Sequence, residues 1–386
     1  MLKLLTHADV YAPHHVGLSH VLVAGDKIVY IGAQLPVFDD FLDVEITDLK
    51  GARLIPGFID AHAHITGGGG EAGFETSVPA PFLSEFTSAG VTTVVGLLGT
   101  DDCVRSTSSL IARIKALRAE GLSAYGYTGG YHIPPTTLTG SVRSDLVHVE
   151  ELIAVGEVAI SDHRSSQPTF EEILRIASEA HVAGLMTGKA GLVHFHVGDG
   201  PKGLELIRRA LDESEIPART FYPTHVNRRK ALFVEACAVA TRGCPIDITA
   251  FPVEENSDET SAEDAWCQYI DGGFPPDNVT ISSDGGGCLP VFNAQGELDS
   301  LDYAKASALP QTLKALVERG RALEHVLPAF TSNVARILRL SGKGNISNHS
   351  DADLIILGRD HLPSWVMARG KWHLRENKII TKGTFE

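Results

Sequence analysis

Eight short apolar runs, each followed by a stretch with helical spacing, recur through the middle of this 386-residue chain and restrict its fold more than any other feature. The runs are GFIDAHAHI, VTTVVGLLG, SAYGYTGGY, GEVAISDH, GLVHFHVG, RTFYPTHV, PIDITAF and VTISSDGG. Between them, stretches such as STSSLIARIKALRAEG, TFEEILRIASEAHVAG, PKGLELIRRALDES and RRKALFVEACAVATRG place apolar residues three and four apart, as the buried face of a crossover helix requires. Eight β/α units predict an α/β fold, a (β/α)8 barrel of TIM type, over residues 56–341. An open doubly wound sheet uses the same alternation, but no G-x-G-x-x-G follows the first run, and polar residues close many different runs. A barrel gathers those ends around one mouth.

The chain ends have a different texture. HVLVAGDKIVYIG and VEITDLKGARLIPG near the start, and DADLIIL, SWVMARGKWHL and KIITKGTF near the end, are short β-rich segments separated by Gly and Asp. The simplest arrangement pairs residues 1–55 with 342–386 in one small β-rich domain flanking the barrel. Lys and Arg number 33 against 48 Asp and Glu, a net charge of −15 without a basic run, which makes nucleic acid an unsuitable general partner. No apolar stretch approaches the roughly 20 residues that cross a bilayer, and His7 and Asp9 interrupt any signal-peptide core, so a cytoplasmic protein with no membrane partner is expected. Five cysteines without a C-x-x-C pair fit a reducing compartment and disfavour a thiolate zinc site.

Polar residues cluster at the C-terminal ends of the runs. The first ends Asp60-Ala61-His62-Ala63-His64; alternate side chains of a strand share a face, so His62 and His64 address one centre. His194 and His196 close the fifth run, His225 the sixth and Asp284 the eighth. Four imidazoles (His62, His64, His196, His225) and the Asp284 carboxylate at one mouth suit zinc when thiolate is absent. His196 lies nearer the mouth and is the expected ligand; His194 is read as a barrel-interior histidine.

The assembly resembles the amidohydrolase superfamily, and the segments PGFIDAHAHITGGGGEAGFETS, GLLGTD, YTGGYHIPPTTLTGS, AISDHRSSQPT, HFHVGDG, PTHVNR and SSDGGG are similar, in order and spacing, to the isoaspartyl dipeptidases within it. That resemblance implies two zinc ions per subunit, one held by His62, His64 and Asp284 and the other by His196 and His225, with a hydroxide between them. Where the family has a carboxylated lysine as the second bridge, this chain has Glu157. Its carboxylate sits roughly 3 to 4 Å closer to the backbone, so the strand must approach the metals if Glu157 is to bridge them. Lys189, in the turn MTGKAG, is read as a solvated lysine rather than a substitute carbamate.

The resemblance also implies substrate contacts: Glu71 for the substrate ammonium, Gly69 and its glycine neighbours for a carboxylate, Thr100 for a hydrogen bond, and Arg164 and Arg228 as carboxylate clamps. Tyr131 would polarise the scissile carbonyl, and Asp284 would carry the proton from nucleophile to leaving amine. Cys288 stands where the family has Ser, replacing a strong donor with a weak one. The expected activity is hydrolysis of β-aspartyl dipeptides by a homo-oligomer, an octamer being one form the family suggests. Rival readings are hydrolysis of a cyclic amide or N-acyl amino acid at the same metals, or an inactive barrel serving as a scaffold.

Overall fold

The computed structural model describes residues 2–38, 42–70, 73–253, 257–292 and 298–386. Every one of the eight apolar runs contains a strand: β1 (Phe58–Ala63), β2 (Val91–Gly96), β3 (Ser123–Thr128), β4 (Leu152–Ile160), β5 (Val193–Val197), β6 (Phe221–Thr224), β7 (Ile246–Thr249) and β8 (Val279–Ser282). Helices α1 (Leu83–Ser88), α2 (Thr107–Glu120), α3 (Val142–His148), α4 (Phe170–Thr187), α5 (Glu205–Glu213), α6 (Lys230–Ala240), α7 (Ala262–Asp271) and α8 (Ala308–Glu318) alternate with them. Capping defines the longest helix at both ends: Thr169 and Glu172 exchange hydrogen bonds at the start of α4, and Gly188 ends it at φ 75°.

The expected ring of eight is not one continuous hydrogen-bonded ladder. Strands β1 to β6 form a curled six-stranded parallel sheet, and β7 and β8 form a separate parallel pair. The two pieces meet just beyond the strand ends, where His64 N–H donates to the Gly285 carbonyl at 2.8 Å and Val226 N–H to the Asp247 carbonyl at 3.4 Å. Side chains join them where the ladder stops. Asp247 on β7 accepts from Thr224 of β6 at 2.7 Å and from Thr280 and Ser282 of β8 at 2.5 Å each. Asp60 on β1 accepts from Ser283 N–H at 3.1 Å. Buried carboxylates thus satisfy strand ends that the backbone leaves apart.

Period-two alternation sorts the strands into two apolar layers. On β5, Val193, Phe195 and Val197 enter the layer beneath the helices, with Phe58, Leu110, Phe170 and Trp266. The interior layer holds Ile59, Ala61, Val95, Leu97, Tyr127, Leu192 and Tyr222. On β4 the alternation breaks: Val155 and Val158 both face the helix layer, and pairing with β5 shifts register between Val193 and Phe195. An extra residue therefore opposes β5 at Gly156–Glu157, a bulge of the kind that re-aims a side chain.

A nine-stranded sheet takes its strands from both chain ends. Arg53–Pro56 pairs antiparallel with Leu354–Leu357 and parallel with Leu2–Tyr11. Leu5, Val21, Leu54, Leu354, Met367 and Trp372 give it a core of its own. Among the described residues no helix is long and apolar enough to cross a membrane.

Candidate active site

His62, His64, His225 and Asp284, at or just beyond the C-terminal ends of β1, β6 and β8, converge with Glu157 from within β4. Two groups form among the described residues, His62–His64–Asp284 and His62–Glu157–His225, the ligand atoms of each lying within 4.8 Å of one another. His62 Nε2 and His64 Nε2 stand 3.2 and 3.3 Å from Asp284 Oδ1; His62 Nε2 is 3.7 Å from Glu157 Oε2, and His225 Nε2 is 3.1 Å from Glu157 Oε1. His225 and Asp284 take left-handed conformations, φ 58° and 55°, which turn each side chain inward immediately after its strand. Thr249 of β7 holds His225 Nδ1 at 2.8 Å.

His62 Nε2, Glu157 Oε2 and Asp284 Oδ1 are buried and have no hydrogen-bond partner. Unpaired buried polar atoms are rare because each forfeits its hydration. Imidazole nitrogen and carboxylate oxygen are zinc donors, so the residues fit a metal centre. The electrostatics point the same way. Burial opposes ionisation of Glu157, yet the charges of His62 and His196 and hydrogen bonds from His196 and His225 hold its carboxyl well below the usual carboxylate range. Asp284 is likewise buried and held low by His62 and His64. Burial works against a charged His62, but Glu157 and Asp284 prevail and push it up to about 9; His225 is driven by burial down to about 3. A charged His62 thus balances the two ionised carboxylates, a positive charge that a bound cation would supply in its place.

His196 is inward-facing as expected but lies outside both groups of converging donors. Its Nδ1 is 2.8 Å from Glu157 Oε1 and its Nε2 is 2.9 Å from Asp162 Oδ2. Each ring nitrogen faces a carboxylate, so His196 can serve a metal only by releasing one of them. Asp162, which the sequence reading left without a role, also accepts from Arg164 Nη2 at 2.9 Å. Although burial opposes its charge, hydrogen bonds from His196 and Arg164 hold it far below the usual carboxylate range. Its signal was its place two residues after β4, where β-strand ends supply the mouth.

The cleft above is lined by Gly69, Thr100, Tyr131, Arg164, Arg228 and Cys288, together with the converging groups. Tyr131 Oη lies 2.8 Å from His196 Nδ1, and burial followed by the Glu157 charge keeps its hydroxyl protonated. Arg164 Nη2 and Arg228 Nη1 approach His196 Nε2 at 3.3 and 3.4 Å. A Cβ on Gly69 would meet the Cys288 Cβ at 3.0 Å, so the loop approaches that thiol only because residue 69 is glycine. Glu71 lies outside the described residues. Lys189 is not solvated: half-buried, it donates to the Leu146 and Val149 carbonyls at 2.7 and 2.5 Å, closing the end of α3.

Residues 53–373 match the model of the Amidohydrolase family. The chain belongs to this family. Among solved structures this amidohydrolase is similar to a β-aspartyl dipeptidase from Fervidobacterium islandicum AW-1 in complex with β-Asp-Leu dipeptide, with 42% identity, a TM-score of 0.91 and 98% of each chain covered. A dihydropyrimidinase from Brevibacillus agri shares the fold at 16% identity and a TM-score of 0.69, over 99% of this chain and 97% of that one. Curated relatives include the imidazolonepropionase of Ruegeria sp., 31% identical over 131 residues, or 32% of this chain. The match spans 31% of that relative's own length.

Proposed function

We propose that this amidohydrolase is a binuclear zinc dipeptidase that cleaves the isopeptide bond of β-aspartyl dipeptides, on a complete (β/α)8 barrel. The observation that carries the reading is the convergence of three unpartnered buried atoms, His62 Nε2, Glu157 Oε2 and Asp284 Oδ1, beneath a cleft bordered by two arginines. His62, His64, Asp284, Glu157 and His225 would hold the ions, with His196 joining on release from a carboxylate. Bound zinc would supply Lewis acidity, which polarises a carbonyl and acidifies water. Asp284, kept ionised by its histidine neighbours, accepts a proton from the attacking water and returns it to the leaving amine. Tyr131 remains a hydroxyl donor for the developing oxyanion. Arg164 and Arg228 pair with substrate carboxylates, and Glu71 with the ammonium; a neutral cyclic amide would have no use for such charges.

Aspartate release from β-Asp-Leu, compared with α-Asp-Leu, N-acetyl-β-Asp-Leu and dihydroorotate, tests the assignment. Zinc-loaded protein should prefer β-Asp-Leu by at least about 100-fold in kcat/KM, because mispaired buried charges penalise the alternatives. Faster turnover of α-Asp-Leu or dihydroorotate would overturn it.

A further inference from the structure

His194 is fully buried in the barrel interior, yet it is polar at both ring nitrogens and both are used. Its Nδ1 lies 3.1 Å from the backbone carbonyl of Tyr222 on β6. Its Nε2 lies 2.9 Å from His62 Nδ1 on β1. A carbonyl oxygen can only accept, so His194 Nδ1 carries the hydrogen of the first bond. With one hydrogen on the ring, His194 Nε2 is an acceptor, and His62 Nδ1 must donate to it. His62 is then committed: its hydrogen sits on Nδ1, and Nε2 is the nitrogen left to face Glu157 Oε2 and Asp284 Oδ1 at 3.7 and 3.2 Å.

We propose that His194 is a positioning residue that fixes the Nδ1–H and ring plane of His62, so that Nε2 is the nitrogen turned toward Glu157 and Asp284 and the one that would give up its proton to bind a metal there. The inference rests on reading those groups as a metal centre. Packing makes the device rigid. The rings of Tyr127 and Tyr222 lie 5.1 and 4.6 Å from that of His194, and Tyr127 is itself tied by its hydroxyl to the Ala61 carbonyl at 2.9 Å. Across the sheet, a Cβ on Gly156 would come within 2.9 Å of the His194 Cβ. Glycine at 156 therefore lets β4 pass close against β5 at residue 194. Partners of this kind orient a metal-bound imidazole and raise its basicity, and losing one typically costs about 10- to 100-fold in metal affinity.

The test compares wild type with His194→Phe, which keeps a ring but removes both bonds, and with His194→Gln, which keeps an acceptor near the Nε2 position. Zinc affinity is measured by competition with a chromophoric chelator, and the His62 Nδ1–H resonance is followed by NMR of histidine-15N-labelled protein. His194→Phe should bind its weaker zinc about 10- to 100-fold less tightly and lose the protected His62 Nδ1–H resonance, while His194→Gln recovers most of the affinity. Unchanged zinc affinity and an unchanged resonance in folded His194→Phe would overturn the proposal. So would a wild-type protein lacking a hydrogen-bonded His62 Nδ1–H, a result that needs no variant. If wild type takes up no zinc, the metal-centre reading falls, and the resonance alone decides the role of His194.

Discussion

Glu157 touches His196 and His225 from the middle of an apolar strand, although its carboxylate has a shorter reach than the carboxylated lysine that the sequence resemblance leads one to expect there. The bulge at Gly156–Glu157 places an extra residue opposite β5 and breaks the alternation there, and Glu157 faces the histidines. On the proposed binuclear site, Glu157→Gln removes the carboxylate charge while preserving shape, so zinc content should fall from about two toward one per chain, with kcat/KM lower by at least about 100-fold. Metal analysis after gel filtration reads the first and aspartate release the second; two retained ions would show that Glu157 is dispensable as a bridge. Zinc loading should also be indifferent to bicarbonate, since Glu157 is already a carboxylate and Lys189 is engaged in closing α3. Of the site residues, the H-x-H pair, His225 and Asp284 were legible because strand alternation and strand ends dictate where they point. The engagement of His196 by Asp162 was not legible, since it depends on how the loop after β4 turns back over β5.

Among the β-rich elements, the strand Lys371–Arg375 carries a buried histidine unrelated to catalysis. His373 lies against the end of α2, and both its ring nitrogens lack a hydrogen-bond partner. Burial, with a smaller contribution from Lys371, pushes its pKa down to about 4 from an ordinary value of 6.5. The unfolded chain therefore binds a proton that the folded chain refuses, and stability is lost as pH falls from about 6.5 toward 4, by up to about 3 kcal/mol. His373→Phe, which has no proton to gain, should flatten this dependence. Urea unfolding of zinc-loaded protein at pH 7.5 and pH 5 checks it: equal losses in wild type and variant would mean that His373 is hydrated or paired in solution. Nothing in the alternation of SWVMARGKWHL reveals this, because burial of a strand's polar position is set by the helix that packs on it.

The nine-stranded sheet and the parallel strands are joined by a buried cation. Lys343 Nζ reaches Ser123 at the start of β3 at 2.6 Å, and Asp353 and Asp351 beside the sheet at 2.5 and 2.7 Å. Burial opposes its charge, but the two carboxylates outweigh that and raise its pKa. Lys343→Met would leave buried Asp353 without its cation and Asp351 with Lys27 alone, and should destabilise the molecule by about 3–5 kcal/mol. Thermal unfolding measures the loss, and aspartate release from β-Asp-Leu at moderate temperature should stay near wild type because Lys343 is remote from the cleft. A melting temperature equal to that of wild type would show that the junction holds without it.

The order of β and α segments, the residues that face inward, and the ends at which polar chemistry gathers were determined by sequence alone, because apolar periodicity and chain direction leave few alternatives. Tertiary structure decided the rest. Strands β6 to β8 are only four residues each, so the two sheet pieces are joined by single backbone contacts, Val226 to Asp247 and His64 to Gly285, with Asp247 and Asp60 beside them, rather than by a continuous ladder. Whether a histidine on an inward face binds, orients or merely fills depends on which carbonyl, carboxylate or ring the other strands bring within about 3 Å of it. Those distances are set by the curl of the whole sheet, and no local pattern encodes them.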